Sequence, residues 1–200
     1  MNFRIGAFIA MSFMLLAAAG QQHPAGASGS KTIKDDGVPQ FTAKNELLRP
    51  KNYREWIFVG SSLGLGYDGG KKPAKGASQP LGHFKHIYIN RLGYRAFRNT
   101  GKFPVGTMLI LEGVSRGEKT NPQLRGYFSN RFGGIEAAVK TGDRFDDPWN
   151  YFGFTKNVKQ QTKAKRITNK SCIRCHRKHA KTDHVFTQFY PVLEAVRPKK

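Results

Sequence analysis

The two cysteines of this 200-residue chain stand in one five-residue window, Cys172-Ile173-Arg174-Cys175-His176. Two thiols three positions apart form a disulfide or redox pair in an oxidising compartment. The histidine that follows turns the window into C-x-x-C-H, the attachment sequence for a c-type haem. Thiols one helical turn apart reach the vinyl groups along one haem edge, and the next imidazole then lies under the iron as proximal ligand. A disulfide and a zinc site remain as alternatives, the latter weakened because a structural zinc takes four ligands and no second cysteine pair exists. The reading adopted is one haem c per chain, bonded through Cys172 and Cys175 with His176 on the iron.

The position of the window bears on the other side of the iron. Only 24 residues follow His176 and none is methionine; outside the first twenty residues the sole methionine is Met108. A Met/His electron carrier therefore depends on Met108, or on a second histidine among His83, His86, His179 and His184. His179 follows His176 by three residues on the same expected helix, so it cannot readily reach the opposite face. An iron with one open face, suited to small-molecule chemistry, is the favoured expectation, with a six-coordinate carrier as the alternative.

Residues 1–20 read as an export signal: "MNFR" is a short positive n-region, "IGAFIAMSFMLL" an apolar stretch, "AAAG" a run of small residues for cleavage. The apolar run is short for a membrane span, although an uncleaved anchor stays open. Residues 21–40, with "QQHPAGASGS", read as a flexible linker, and 41–200 as one folded domain, which export would place in the periplasm. The 34 Lys and Arg against 13 Asp and Glu give a net charge of +21. Scattered basic residues, no nucleic-acid motif and export together argue against nucleic acid as partner. An acidic redox partner, anionic lipid head groups and simple solubility charge are the competing explanations. Between Lys156 and Lys181 lie ten Lys or Arg and no acid, so the rim of the haem segment is expected to be positive.

Alternating aromatic and β-branched runs predict strands at "EWIFVGS", "HFKHIYIN", "VGTMLILEGV", "RGYFSN", "GGIEAAV" and "WNYFGFT". "RLGYRAFRNTG" predicts a helix with Leu92, Ala96 and Phe97 on one face and Gly101 as its C-cap. The Gly/Lys/Pro stretch 63–82 reads as a long loop, and 183–193 as a closing helix or arm that turns Phe186, Phe189, Tyr190 and Leu193 inward, with Pro191 opposing one straight helix. The expected fold class is α+β: a mostly antiparallel sheet with a few helices and a C-terminal haem-binding segment. Met108 and Leu111 differ by an odd number of residues, so on a regular strand they face opposite sides.

"NELLRPKNYREWIFVG", "GTMLILEGV", "GYFSNRFGGIEAAVK" and "CIRCHRKHAKTDHVFTQFYPVL" closely resemble cytochrome P-460 and its relative cytochrome c-prime-beta, over about Asn45 to Pro198. The resemblance implies a β-rich homodimer with one c-type haem per subunit and a five-coordinate iron on His176. It implies one of two activities, oxidation of hydroxylamine or binding of nitric oxide and similar gases. The P-460 pattern has a haem-cross-linking lysine directly before the glutamate of "LEGV"; this chain has Leu111 there, before Glu112, and leucine has no amine to link. Glu136 occupies the family's distal carboxylate position. As proton acceptor it would serve hydroxylamine oxidation, and an apolar surrounding makes such a carboxylate a better base; a plain surface or ion-paired glutamate is the alternative. Leu111 points instead to small diatomic ligands under an apolar cap. Phe58, Phe84 and Phe103 are candidates to extend that cap, although ordinary core is the expectation for each.

Overall fold

The computed structural model describes residues 37–65, 82–120, 123–157 and 159–199. The expected signal, most of the linker and the body of the 63–82 loop lie outside the described residues. The centre of the fold is an antiparallel five-stranded sheet in the order β2-β3-β4-β5-β6, formed by β2 (Ile57–Leu63), β3 (Phe84–Ile89), β4 (Met108–Thr120), β5 (Arg125–Lys140) and β6 (Trp149–Gly153). Short pairs flank it: β1 (Leu47–Leu48) with β9 (Lys163–Ala164), and β7 (Thr155–Lys156) with β8 (Lys159–Gln160). The helices are α1 (Arg91–Thr100), α2 (Ser171–His179) and α3 (Pro191–Val196). The α+β, mostly antiparallel expectation is met.

Each predicted strand is present, with one change of boundary. The expected strands at 125–130 and 133–139 are a single strand, β5. The Gly133-Gly134 pair that reads as a break is absorbed because β4 brings Gly113 opposite: a Cβ on Gly113 would stand 3.5 Å from the Gly134 backbone. Register shifts on either side of Val114 take up the irregularity. α1 follows its sequence signals closely. The Asn90 side chain accepts from Gly93 N–H at 3.1 Å, and Gly101, at φ 70°, closes the end by donating to the Phe97 carbonyl.

The sheet has an apolar layer on each face, and side-chain alternation decides which residue joins which. Met108, Ile110, Ile135, Ala137 and Val139 pack with Tyr53, Trp56 and Phe152 on one side. Ile87, Ile89, Leu109 and Trp149 pack with Phe97, Phe103, Val185, Leu193 and Ile173 of α2 on the other. α2 therefore rests on the second face, the one that carries Leu111.

The closing segment is neither one helix nor an arm. Thr182 and Val185 bridge a tight turn, a 3-10 turn follows at Thr187–Phe189, and Pro191 opens α3 instead of breaking a helix. Phe186 and Leu193 are buried and Tyr190 is half-buried, but Phe189, expected inward, is exposed, lying against Phe186 with ring centroids 5.9 Å apart.

Candidate haem site

α2 places Cys172, Cys175 and His176 on a short helix with the buried Ile173 as its anchor. Both thiols are free and half-buried. Burial pushes the Cys172 thiol pKa up; the Ser171 hydrogen bond opposes that, and the Glu136 carboxylate adds to the rise. Glu136 on β5 is thus within electrostatic reach of the attachment helix.

His176 is held by its surroundings. Its Nδ1 lies 2.7 Å from the main-chain carbonyl of His184. A carbonyl only accepts, so Nδ1 carries the proton and Nε2 is left as a lone-pair donor for a metal. Burial lowers the pKa of His176, and the hydrogen bond to His184 partly offsets this. Tyr151 and Phe186 flank the imidazole, with ring centroids at 4.7 and 4.6 Å.

The carbonyl that orients His176 belongs to an unusual turn. Asp183 and His184 have φ of 44° and 61°, both left-handed, and Val185 N–H closes the turn on the Thr182 carbonyl at 2.7 Å. Two successive left-handed residues match the twist of a tight hairpin turn. The Asp183 carboxylate fastens it to the sheet, accepting from Lys140 Nζ at 2.7 Å and Trp149 Nε1 at 3.2 Å. None of Asp183, Lys140, Trp149, Tyr151 and Phe186 was singled out by motif for this role; the clue was the left-handed-tolerant Asp in "KTDHV".

On the sheet, Leu111 pairs with Ile87 of β3 on one side and Glu136 of β5 on the other, and Glu136 pairs with Gly153. All four belong to the face that carries α2. Leu111 lines a small, solvent-open groove with Ser61, Ser62, Lys85, Ile87, Phe186 and neighbouring residues. Glu136 is exposed on β5. Phe58, Phe84 and Phe103 do not line the groove: Phe58 is exposed beside Tyr88, Phe84 stacks on His86, and Phe103 is core, stacked on Phe97 at 4.5 Å. Phe186 and Phe189 line it instead.

Met108 is 1 % exposed in the opposite layer, so the sheet separates it from α2, as the odd spacing from Leu111 requires. His86 hydrogen-bonds Ser129 from a half-buried position, His179 is exposed on α2, His83 is exposed before β3, and His184 occupies the turn behind His176.

The family model for cytochrome P460 matches residues 50–187. The chain belongs to the cytochrome P460 family. It is accordingly a mono-haem c-type cytochrome that takes one haem c. None of the curated proteins compared with it matches the chain. The residues present fit the group: two free thiols a turn apart, an imidazole whose Nε2 carries no proton, and a neighbouring open groove lined by Leu111.

The expected positive rim is only partly unpaired. Lys163, Arg166, Arg177 and Lys181 form ion pairs with Glu46, Asp146, Asp147 and Glu194. Lys170, Arg174 and Lys178 remain exposed without an ion pair among the described residues, four positions apart along one side of α2.

Proposed function

We propose that this is an exported cytochrome of the c-prime-beta type, which binds nitric oxide or a related small nitrogen oxide at an iron held on the protein side by His176 alone. Cys172 and Cys175 carry the thioether bonds. When bound, the haem supplies an iron with one open coordination position. Leu111 lines the groove on the sheet side, and this carries the reading. It offers neither a ligand atom nor an amine for a cross-link, and the one methionine of the domain is buried beyond the sheet. An apolar side chain in that place disfavours water and larger polar ligands, which need hydrogen-bond partners, and admits diatomic ones. Titration of the ferrous protein with nitric oxide tests it. A high-spin spectrum that shifts to a saturable nitrosyl form is expected; a ferrous protein that does not respond disposes of the proposal.

A second reading, hydroxylamine oxidation with Glu136 as proton acceptor, is favoured by the common face of Glu136 and Leu111. It predicts turnover with an added electron acceptor and its loss in Glu136→Ala. Equal rates in the two proteins would remove Glu136 from any catalytic role.

Residues 1–20 support export to the periplasm, and the Lys170, Arg174 and Lys178 stripe supports docking of an acidic redox partner, with an electron-transfer rate that falls as ionic strength rises. The homodimer is supported by exposed apolar side chains along the outer part of the β4–β5 hairpin, Leu124, Tyr127, Phe128 and Phe132. Light scattering should give twice the mass of one chain, and Phe132→Lys should shift it towards a monomer.

A further inference from the structure

Leu111 has a charged neighbour on each side, and only one of them was visible as a motif. Glu136 is its partner on β5. On β3 its partner is Ile87, and Lys85, two residues earlier, points to the same face of the strand. Lys85, Ile87 and Leu111 line one groove, with Ser61 and Phe186 across from them. The Lys85 side chain is half-buried, and its Nζ donates to the main-chain carbonyl of Leu65, which keeps the ammonium at the groove. Burial pushes its pKa down while the Glu136 carboxylate opposes that, so the two charges sense each other across Leu111.

We propose that Lys85 sets the charge preference of the ligand groove: its ammonium favours small anionic ligands such as azide or nitrite over neutral ones, against the opposite bias of Glu136. The proposal rests on the reading of this face as the ligand side of the haem. A fixed charge beside a partly dehydrated groove acts on the charge of an incoming group and leaves a neutral diatomic almost untouched. Lys85 is therefore a positioning and selecting residue, apart from the proton-accepting role weighed for Glu136.

The test uses the holoprotein and equilibrium absorption titrations, with azide on the ferric form and carbon monoxide on the ferrous form. Lys85→Met should weaken azide about tenfold and leave carbon monoxide within about twofold. Lys85→Arg should restore azide, and Glu136→Gln should strengthen it severalfold. In the wild type, azide binding should weaken with rising ionic strength and as pH rises through the lysine's titration, while carbon monoxide binding changes with neither. This arm needs no variant to fold. Unchanged azide affinity in Lys85→Met, or parallel loss of azide and carbon monoxide, would overturn the proposal; the latter would mean that Lys85 shapes the groove and does not select by charge. Wild-type protein that binds neither probe would overturn the ligand-face reading itself.

Discussion

Asp183 should matter more to this protein than its place outside the haem motif suggests. Its carboxylate holds the turn whose next carbonyl orients His176. The Asp183→Ala variant loses three contributions. The Lys140 pair, with side chains 22 % and 33 % exposed, is worth about 1 kcal/mol after solvent screening. The Trp149 indole, on a residue 1 % exposed, loses its acceptor, at about 1 kcal/mol or slightly more. Alanine at a φ of 44° costs about 1 kcal/mol more than a residue whose short polar side chain tolerates that region. The sum is about 3 kcal/mol, and a domain of this size loses roughly 2–4 °C per kcal/mol, so the melting temperature should fall by about 6–12 °C. Asp183→Asn keeps a side-chain oxygen for Trp149 and tolerates the backbone, so it should lose only the ion pair, about 1 kcal/mol. Calorimetry of the holoproteins reads the stability. The iron–histidine stretching frequency of the ferrous proteins, by resonance Raman, reads the position of the His184 carbonyl. It should move in the alanine variant and stay near wild type in the asparagine variant. An alanine variant that melts within about 2 °C of wild type would refute the claim that Asp183 fastens the turn.

Three further outcomes follow from the same contacts. Glu112 is 2 % exposed and accepts from the Tyr53 hydroxyl and from Arg54 Nε at 2.9 Å, so Glu112→Ala should cost about 2–4 kcal/mol by denaturant titration; because it faces away from Leu111, nitric oxide affinity should not change. His184→Gly keeps the carbonyl that His176 uses and relieves a left-handed histidine whose Nδ1 is buried without a partner among the described residues, so unfolding should show stability within about 1 kcal/mol of wild type and the haem spectrum should be unaltered. Hydrogen bonds from Arg197 and Lys181 pull the Glu194 pKa down to about 2. A depressed carboxylate stabilises the fold above its ordinary titration range, so this contribution, no more than about 1 kcal/mol for so exposed a pair, should fade as pH falls from about 4.5 to 2 and be absent from Glu194→Gln in an acid unfolding series.

Local signals carried much of the fold. The C-x-x-C-H window and the Asn90 and Gly101 caps of α1 are each contained in a few adjacent residues. The separation of Met108 from Leu111 follows from strand parity alone, and it held because the register irregularity of β4 begins only after Glu112. What escaped depends on partners distant in sequence. Gly133-Gly134 reads as a break until Gly113 is seen across the ladder. Which phenylalanines border Leu111 was illegible, since Phe186 reaches the groove from a segment 75 residues later, whereas Phe58, Phe84 and Phe103 lie nearer in sequence and point elsewhere. Lys85 escaped for the same reason: its relation to Leu111 exists only once β3 and β4 pair.

The alternation along β4 also explains how the side chain at position 111 can vary without endangering the fold. Met108, Ile110 and Glu112 face the first layer, where they are all nearly inaccessible and Glu112 is tied to Tyr53 and Arg54. Leu111 lines the groove and is only half-buried. A half-buried side chain beside an open groove makes few contacts that a different side chain must reproduce, so replacing lysine by leucine there alters the groove's chemistry and little else. The reverse kind of change at Ile110, an Ile110→Lys substitution in a fully buried position one residue away, would place an ammonium in an apolar layer and should unfold the domain. Two neighbouring residues are thus under unrelated physical constraints: Ile110 must stay apolar to fill the first layer, whereas Leu111, like Lys85 on the neighbouring strand, lines an open groove where the fold leaves the side chain free to differ.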